Sequence, residues 1–139
     1  MDRDDLGFLL AKATQRWNEL IHERFRAAGW GAVRPSYRSI LVPLFEEDGL
    51  RIGELARRAR LSKQTMTTMV RLLERDGLVR RERDPDDGRA FRIVLTAKAR
   101  RFEPVAEHTL VELNALARER LGERRLQSVK HALKEWIET

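Results

Sequence analysis

Residues 61–77 read Leu-Ser-Lys-Gln-Thr-Met-Thr-Thr-Met-Val-Arg-Leu-Leu-Glu-Arg-Asp-Gly, and the fold turns on this stretch. Met66, Met69, Val70 and Leu73 recur at three- and four-residue steps, so one face of a helix beginning near Ser62 is apolar and faces a core. Ser62 supplies a hydroxyl suited to capping the first turn. Gly77 stands where a left-handed residue lets the chain leave the helix without a Cβ penalty. The other face carries Lys63, Gln64, Thr65, Thr67, Thr68 and Arg71. Threonine is a weak helix former, and three outward copies without a packing return argue against an ordinary solvated face. Glutamine can pair bidentately with adenine, arginine with guanine, and threonine can touch a phosphate or a thymine methyl; such a face has the chemistry to read a DNA major groove.

Working outward, the Asp48-Gly49 turn is followed by Ile52, Leu55, Ala56 and Ala59, the apolar positions of a short helix that ends before Ser62. Downstream, residues 78–83 and 91–95 read as two strands around the polar loop 84–90. Short helix, tight turn, longer helix and hairpin together make a helix-turn-helix with a wing. At the wing tip, Gly88 permits a positive φ, Asp86 and Asp87 can bond the loop backbone, and Arg89 can enter a narrow minor groove. Arg89 can instead pair with Asp87, an exposed contact worth under about 1 kcal/mol. The two readings are compatible if Asp87 orients Arg89 until DNA arrives. Ser62 at the cap, Arg83 at the loop's base and Asp87 join the outward face and Arg89 as the candidate DNA-binding set.

The flanks are helical. Leu6, Leu10, Ala13, Trp17, Leu20, Ile21 and Phe25 define a first amphipathic helix, ended by Gly29 and Gly31; Pro35 opens a second, Ser36 to about Phe45. Arg34 is a poor cap for it, and Pro43 is expected to kink it or end it early. Thr96 can cap a long helix reaching about Arg120. Beyond Gly122, a last helix carries Leu126, Val129, Leu133, Trp136 and Ile137 on one stripe. The expected fold is mainly α with a small β-hairpin, as one domain over 1–139: a winged helix-turn-helix at 35–96 between helices at 1–34 and 97–139.

Composition agrees. Of the 139 residues none is cysteine, which excludes a disulfide framework and a thiolate metal site. The net charge of +6 is uneven: residues 51–101 hold 15 Lys or Arg against 7 Asp or Glu, and the remainder 13 against 15. A basic middle between near-neutral flanks is the footprint of a polyanion binder. No stretch approaches a membrane span, and the start MDRDDLGFLL is acidic where a signal peptide needs basic residues, so a cytoplasmic setting is expected.

These residues resemble the MarR family of bacterial transcriptional regulators. Gly53-Glu54-Leu55-Ala56, Ser62-Lys63-Gln64-Thr65-Met66-Thr67 and Leu72-Leu73-Glu74-Arg75-Asp76-Gly77-Leu78-Val79 follow the family's helix-turn-helix register. Asp87-Gly88-Arg89, five residues, then Leu95-Thr96 match its D-x-R-x5-L-T wing pattern, and the likeness extends over essentially the whole chain. The resemblance implies a two-fold homodimer joined by the first helix and the last two, a pseudo-palindromic operator in double-stranded DNA, repression, and a nucleoid-associated protein when bound. It also implies a small aromatic or anionic effector between the dimer helices and the reading unit, where Trp17, Trp30 and Tyr37 could line a pocket with Arg38 as counter-charge. Trp17 reads equally as core or interface, and Trp30 as packing over a turn. Pro43, Arg34 and Ala99 depart from the family pattern and bear on the pocket more than on the reader.

Nothing in the sequence requires a cofactor. His22, His108 and His131 are too scattered for a local metal motif, and G-x-S-x-G, a phosphate-cradling glycine loop and H-E-x-x-H are missing, so an enzyme is not expected. The competing reading is a winged-helix interaction module docking an acidic protein partner without reading an operator.

Overall fold

The structure, a computed structural model, describes residues 2–139. Helix α1 spans Leu6–Ala27 and is capped by the Asp5 carboxylate, which accepts from the Phe8 N–H. A single 3-10 turn, Pro35–Tyr37, leads into α2, Arg38–Glu46. Then come strand β1, Leu50–Arg51, and helices α3, Ile52–Ala59, and α4, Lys63–Arg75. Strands β2, Val79–Arg83, and β3, Phe91–Leu95, precede α5, Ala97–Leu121, and α6, Glu123–Ile137.

The sheet is antiparallel in the order β1-β3-β2, with Leu50 opposite Ile93, Val79 opposite Leu95 and Arg83 opposite Phe91. It therefore has three strands where the sequence suggests a hairpin. At two residues, β1 is too short to carry any alternation. It forms because Asp48 bends the chain back: its carboxylate accepts from the Gly49 N–H at 3.0 Å, the Leu95 N–H at 2.9 Å and Arg100 at 2.9 Å, joining the end of α2 to β3 and α5.

Helix α2 runs through Pro43 to Glu46 rather than ending early. A proline at the sixth helical position forfeits only the bond to the Ser39 carbonyl, close to the end where N–H groups lack partners anyway. Arg34 caps the preceding turn with no side-chain bond. Helix α5 likewise passes through a proline, Pro104, that the periodicity does not flag. Ala99 is buried at its start, where the Thr96 hydroxyl accepts from the Ala99 N–H.

One core joins the elements from α1 to α5, and no residue of α6 belongs to it. Met66, Val70 and Leu73 from α4 pack with Leu55, Ile93, Leu78, Ile40 and Leu44, with Met69 half-buried beside them. Tyr37, Phe102 and Leu113 extend that core to the long helices. No helix of the described residues is long and apolar enough to cross a membrane.

Candidate nucleic-acid interface

The outward face of α4 is held by its own first turn. Ser62 Oγ accepts from the Thr65 N–H at 3.0 Å and donates to Thr65 Oγ1 at 2.8 Å. Thr67 donates to the Lys63 carbonyl at 2.8 Å and Thr68 to the Gln64 carbonyl at 3.2 Å. These bonds to the carbonyl four residues earlier do not restore the helix propensity that threonine forfeits. They do narrow the chemistry. With their protons spent on the backbone, Thr67 and Thr68 offer DNA a methyl group and acceptor lone pairs, whereas Thr65 keeps a proton to donate to phosphate. Thr67 is half-buried; Lys63, Gln64, Thr65, Thr68 and Arg71 are exposed.

The wing is braced from within. Asp84 N–H donates to the Ala90 carbonyl and Ala90 N–H to that of Asp87, both at 3.0 Å. Arg83 donates to the Gly88 carbonyl at 2.6 Å and lies 5.7 Å above the Phe91 ring, so this candidate contact also serves as a wing brace. The Arg51 guanidinium, 2.9 Å from Asp84, together with the Asp86 N–H, holds the Asp84 carboxyl below its ordinary range. Gly88 does not adopt the positive φ expected of it: these bonds close the loop with glycine on the ordinary side of φ, and its freedom is unused. Asp87 accepts from the backbone N–H of Arg89 at 3.1 Å rather than from its guanidinium, so Arg89 projects without an ion-pair partner among the described residues.

This distribution of partners locates the charge. Of the 15 basic residues in 51–101, eight are ion-paired, among them Arg57 and Arg58 with Glu54, Arg81 with Glu74, and Arg80 and Arg92 with Glu82. The two arginines beside it pull the Glu54 carboxyl down to about 2, so this cluster stays ionised far into acid. Among the described residues the other seven basic residues make no ion pair: Arg60, Lys63, Arg71, Arg83 and Arg89 lie on α4, on the turn before it or on the wing, and Lys98 and Arg101 lie in the first turns of α5. Five of the seven cations left to attract a polyanion thus stand on the elements that would meet a duplex.

The far end of α4 is clamped. Tyr37 donates to the Asp76 carboxylate at 2.5 Å, Lys98 to the Asp76 carbonyl at 2.7 Å and the Thr96 hydroxyl to the Gly77 carbonyl at 2.6 Å. Burial, reinforced by Asp76, pushes the Tyr37 phenol up, and the phenol's hydrogen bond holds the Asp76 carboxyl down.

A cavity of about 60 Å³ lies between α1, α2 and α5. Its wall is apolar, with Ile21, Phe25, Leu41 and Phe102 prominent, and Arg34 and Arg38 are its two cations. Of the four residues expected at a pocket, Arg38 alone lines it. The Trp30 ring is packed 5.2 Å from Phe102, Trp17 is half-buried against the core, and the Tyr37 hydroxyl is engaged by Asp76. The histidines are not brought together: His22 bonds the Gly31 carbonyl, His108 pairs with Glu112 and His131 with Glu135. Among the described residues no group of three or more His, Asp or Glu is placed to hold a metal ion.

With this geometry in hand, known proteins give a consistent answer. Residues 36–91 match the MarR family model. Over 66 residues the chain is 44% identical to the HTH-type transcriptional regulator TtmR of Methylorubrum extorquens; the match takes in 48% of this chain and only 33% of that protein. A crystal structure of a probable transcriptional regulator from Pseudomonas aeruginosa superposes with a TM-score of 0.82 at 27% identity, covering 96% of this chain and 97% of the other. A Mycobacterium tuberculosis MarR family protein in complex with salicylic acid superposes with a TM-score of 0.68 at 28% identity, over 97% and 99% of the two chains.

Proposed function

Residues 36–91 of this chain form a MarR-family winged helix-turn-helix domain, and from that premise we propose that the protein is a homodimeric transcriptional repressor of a pseudo-palindromic operator. One observation carries the reading: five of the seven unpaired cations of the basic segment stand on α4, its preceding turn and the wing, beside the exposed amide of Gln64. In this assignment α4 enters the major groove with Lys63, Gln64, Thr65, Thr68 and Arg71 toward the bases and backbone, while Arg89 reaches the adjacent minor groove.

A second copy of the chain accounts for the outer helices. On α6 only Leu126 is buried, while Trp136 and Ile137 are 59% and 71% exposed; Leu6, Leu9 and Val111 add to this uncovered apolar surface from α1 and α5. Segments 1–34 and 97–139 are therefore assigned to the dimer, which sets two reading helices about one DNA turn, roughly 34 Å, apart.

The test is binding-site selection on random duplexes, followed by salt titration on the selected site and on random sequence. The selected site should bind at least about 10³-fold more tightly than random duplex. Affinity that never rises above the random background would instead favour docking to an acidic protein. Within the selected site, Gln64→Ala should relax preference at one base pair of each half-site. An equal loss on every sequence would reassign Gln64 to a phosphate.

The reading extends to an effector. The Mycobacterium tuberculosis relative binds salicylic acid, and the cavity here combines an apolar wall with two arginines, the lining an aromatic carboxylate needs. At about 60 Å³ it is smaller than the roughly 150 Å³ that holds benzene in an engineered protein cavity, so an occupant must displace wall side chains, Arg38 and the exposed Val42 foremost. Added salicylate should release the operator from the wild-type protein. For Arg38→Ala the concentration needed should rise several-fold, as read by fluorescence anisotropy of labelled DNA. Equal release from both proteins would move the effector site elsewhere.

A further inference from the structure

Three helices of this chain end with the same pair of hydrogen bonds, and one of them does so without glycine. At the end of α1, the Trp30 N–H donates to the Phe25 carbonyl at 2.7 Å and the Gly29 N–H to that of Arg26 at 3.0 Å. At the end of α4, Leu78 N–H donates to Leu73 at 2.9 Å and Gly77 N–H to Glu74 at 3.0 Å. At the end of α3, Leu61 N–H donates to Ala56 at 3.0 Å and Arg60 N–H to Arg57 at 3.2 Å. The pivot residue is left-handed each time, with φ of +86° at Gly29, +74° at Gly77 and +55° at Arg60. Glycine suits this geometry because a Cβ there crowds the following carbonyl. Arg60 is the sole non-glycine residue with positive φ among the described residues.

No side-chain hydrogen bond or ion pair of Arg60 offsets that strain among the described residues. Arg57 and Arg58, on the preceding turn, are bound by Glu54 and, for Arg58, also by Glu47. Arg60 is exposed, and its guanidinium makes no hydrogen bond or ion pair among the described residues. It stands two residues ahead of the Ser62 cap of α4, the helix that carries the unpaired Lys63 and Arg71. A left-handed arginine is costlier than the glycine found at the two equivalent positions, and its guanidinium is left open to a partner from outside.

We propose that Arg60 is a DNA backbone contact, its guanidinium clasping the oxygens of one phosphodiester beside the base-reading helix. The assignment rests on the DNA-binding reading above and deepens it. A planar five-donor fork matches two phosphate oxygens at once, and its reach from the corner of the helix-turn-helix makes the contact independent of sequence.

Arg60→Gly and Arg60→Lys, made in the full chain, test it. In Arg60→Gly the thermal midpoint should rise by a few degrees, about 2–6 °C, as the strain is relieved. Affinity for the selected duplex should fall about 3- to 10-fold, equally for selected and random sequence, and the salt slope should shrink by about one unit. Arg60→Lys should keep the wild-type salt slope and lose less affinity. Wild-type affinity and slope in the glycine variant would overturn the contact. A lower midpoint would make Arg60 a structural residue, and a changed base preference would make it a base contact; either overturns the proposal. Were the wild-type protein itself to show no salt-dependent binding to duplex DNA, the DNA reading would fail first, and this assignment with it.

Discussion

Replacing Phe102 with alanine is expected to lower the unfolding free energy by about 3–5 kcal/mol, the usual range for a buried phenylalanine. The ring sits in α5 where the long helices meet the reading unit. It packs edge-on against Phe25 of α1, with centroids 4.8 Å apart and planes at 82°, and tilts against Trp30 at 5.2 Å. It is also part of the cavity wall. Truncation would merge the space of the lost ring with the existing void, and a site that cannot collapse sits toward the upper end of that range. Urea denaturation followed by tryptophan fluorescence gives the value, with protein concentration held constant because the proposed dimer would contribute to apparent stability. A loss below about 1 kcal/mol would mean that α1 and α5 close over the gap.

Arg89→Ala should weaken operator binding by about 1–3 kcal/mol, roughly 5- to 150-fold, and leave dimerisation and thermal stability unchanged. The separation follows from the wing's construction. Its shape is held by Arg83 on the Gly88 carbonyl, Arg51 on Asp84 and backbone bonds between Asp84, Asp87 and Ala90, none of which uses the Arg89 side chain. Removing that guanidinium therefore takes away the proposed contact with DNA while leaving the wing's own hydrogen bonds in place. Anisotropy titrations at fixed salt measure the loss, and sedimentation checks the dimer. Unchanged affinity would take the wing out of recognition.

The parts legible beforehand were those written in local chemistry. The caps at Ser62 and Thr96, the left-handed exit at Gly77 and the apolar steps of Met66, Val70 and Leu73 each depend on a few neighbouring residues, and each stands where expected. Strand β1 escaped because Leu50–Arg51 exists only through its pairing with Ile93 and Arg92, a relation across more than forty residues. Arg60 escaped because its backbone is set by how α3 must meet α4, and no side-chain pattern announces a left-handed arginine. Pro43 and Pro104 invite a break that the surrounding packing overrides.

The cavity was the least legible. Neither Trp17 nor Trp30 lines it: Trp17 is half-buried against the core, and Trp30, packed on Phe102, faces a separate, more open cavity with Lys98 and Arg101. The wall is instead built from Ile21, Phe25, Leu41 and Phe45, residues that any pattern assigns to the core. Arg34, beside the turn-opening Pro35 and one helical turn before Arg38, is the residue whose position offered a signal: two cations at that spacing beside an apolar helix.

The strip from Arg34 to Arg38 belongs to two places at once. Arg34, Pro35 and Arg38 form cavity wall, while Tyr37 between them holds the carboxylate that ends the reading helix. If the proposed effector fills the one and thereby shifts the other, the coupling must run equally in both directions. A molecule that loosens the operator tenfold is itself expelled tenfold by the operator. Under the proposed function, bound DNA would then compete with the signal, and the concentration at which a cell responds would depend on how firmly each promoter holds the protein.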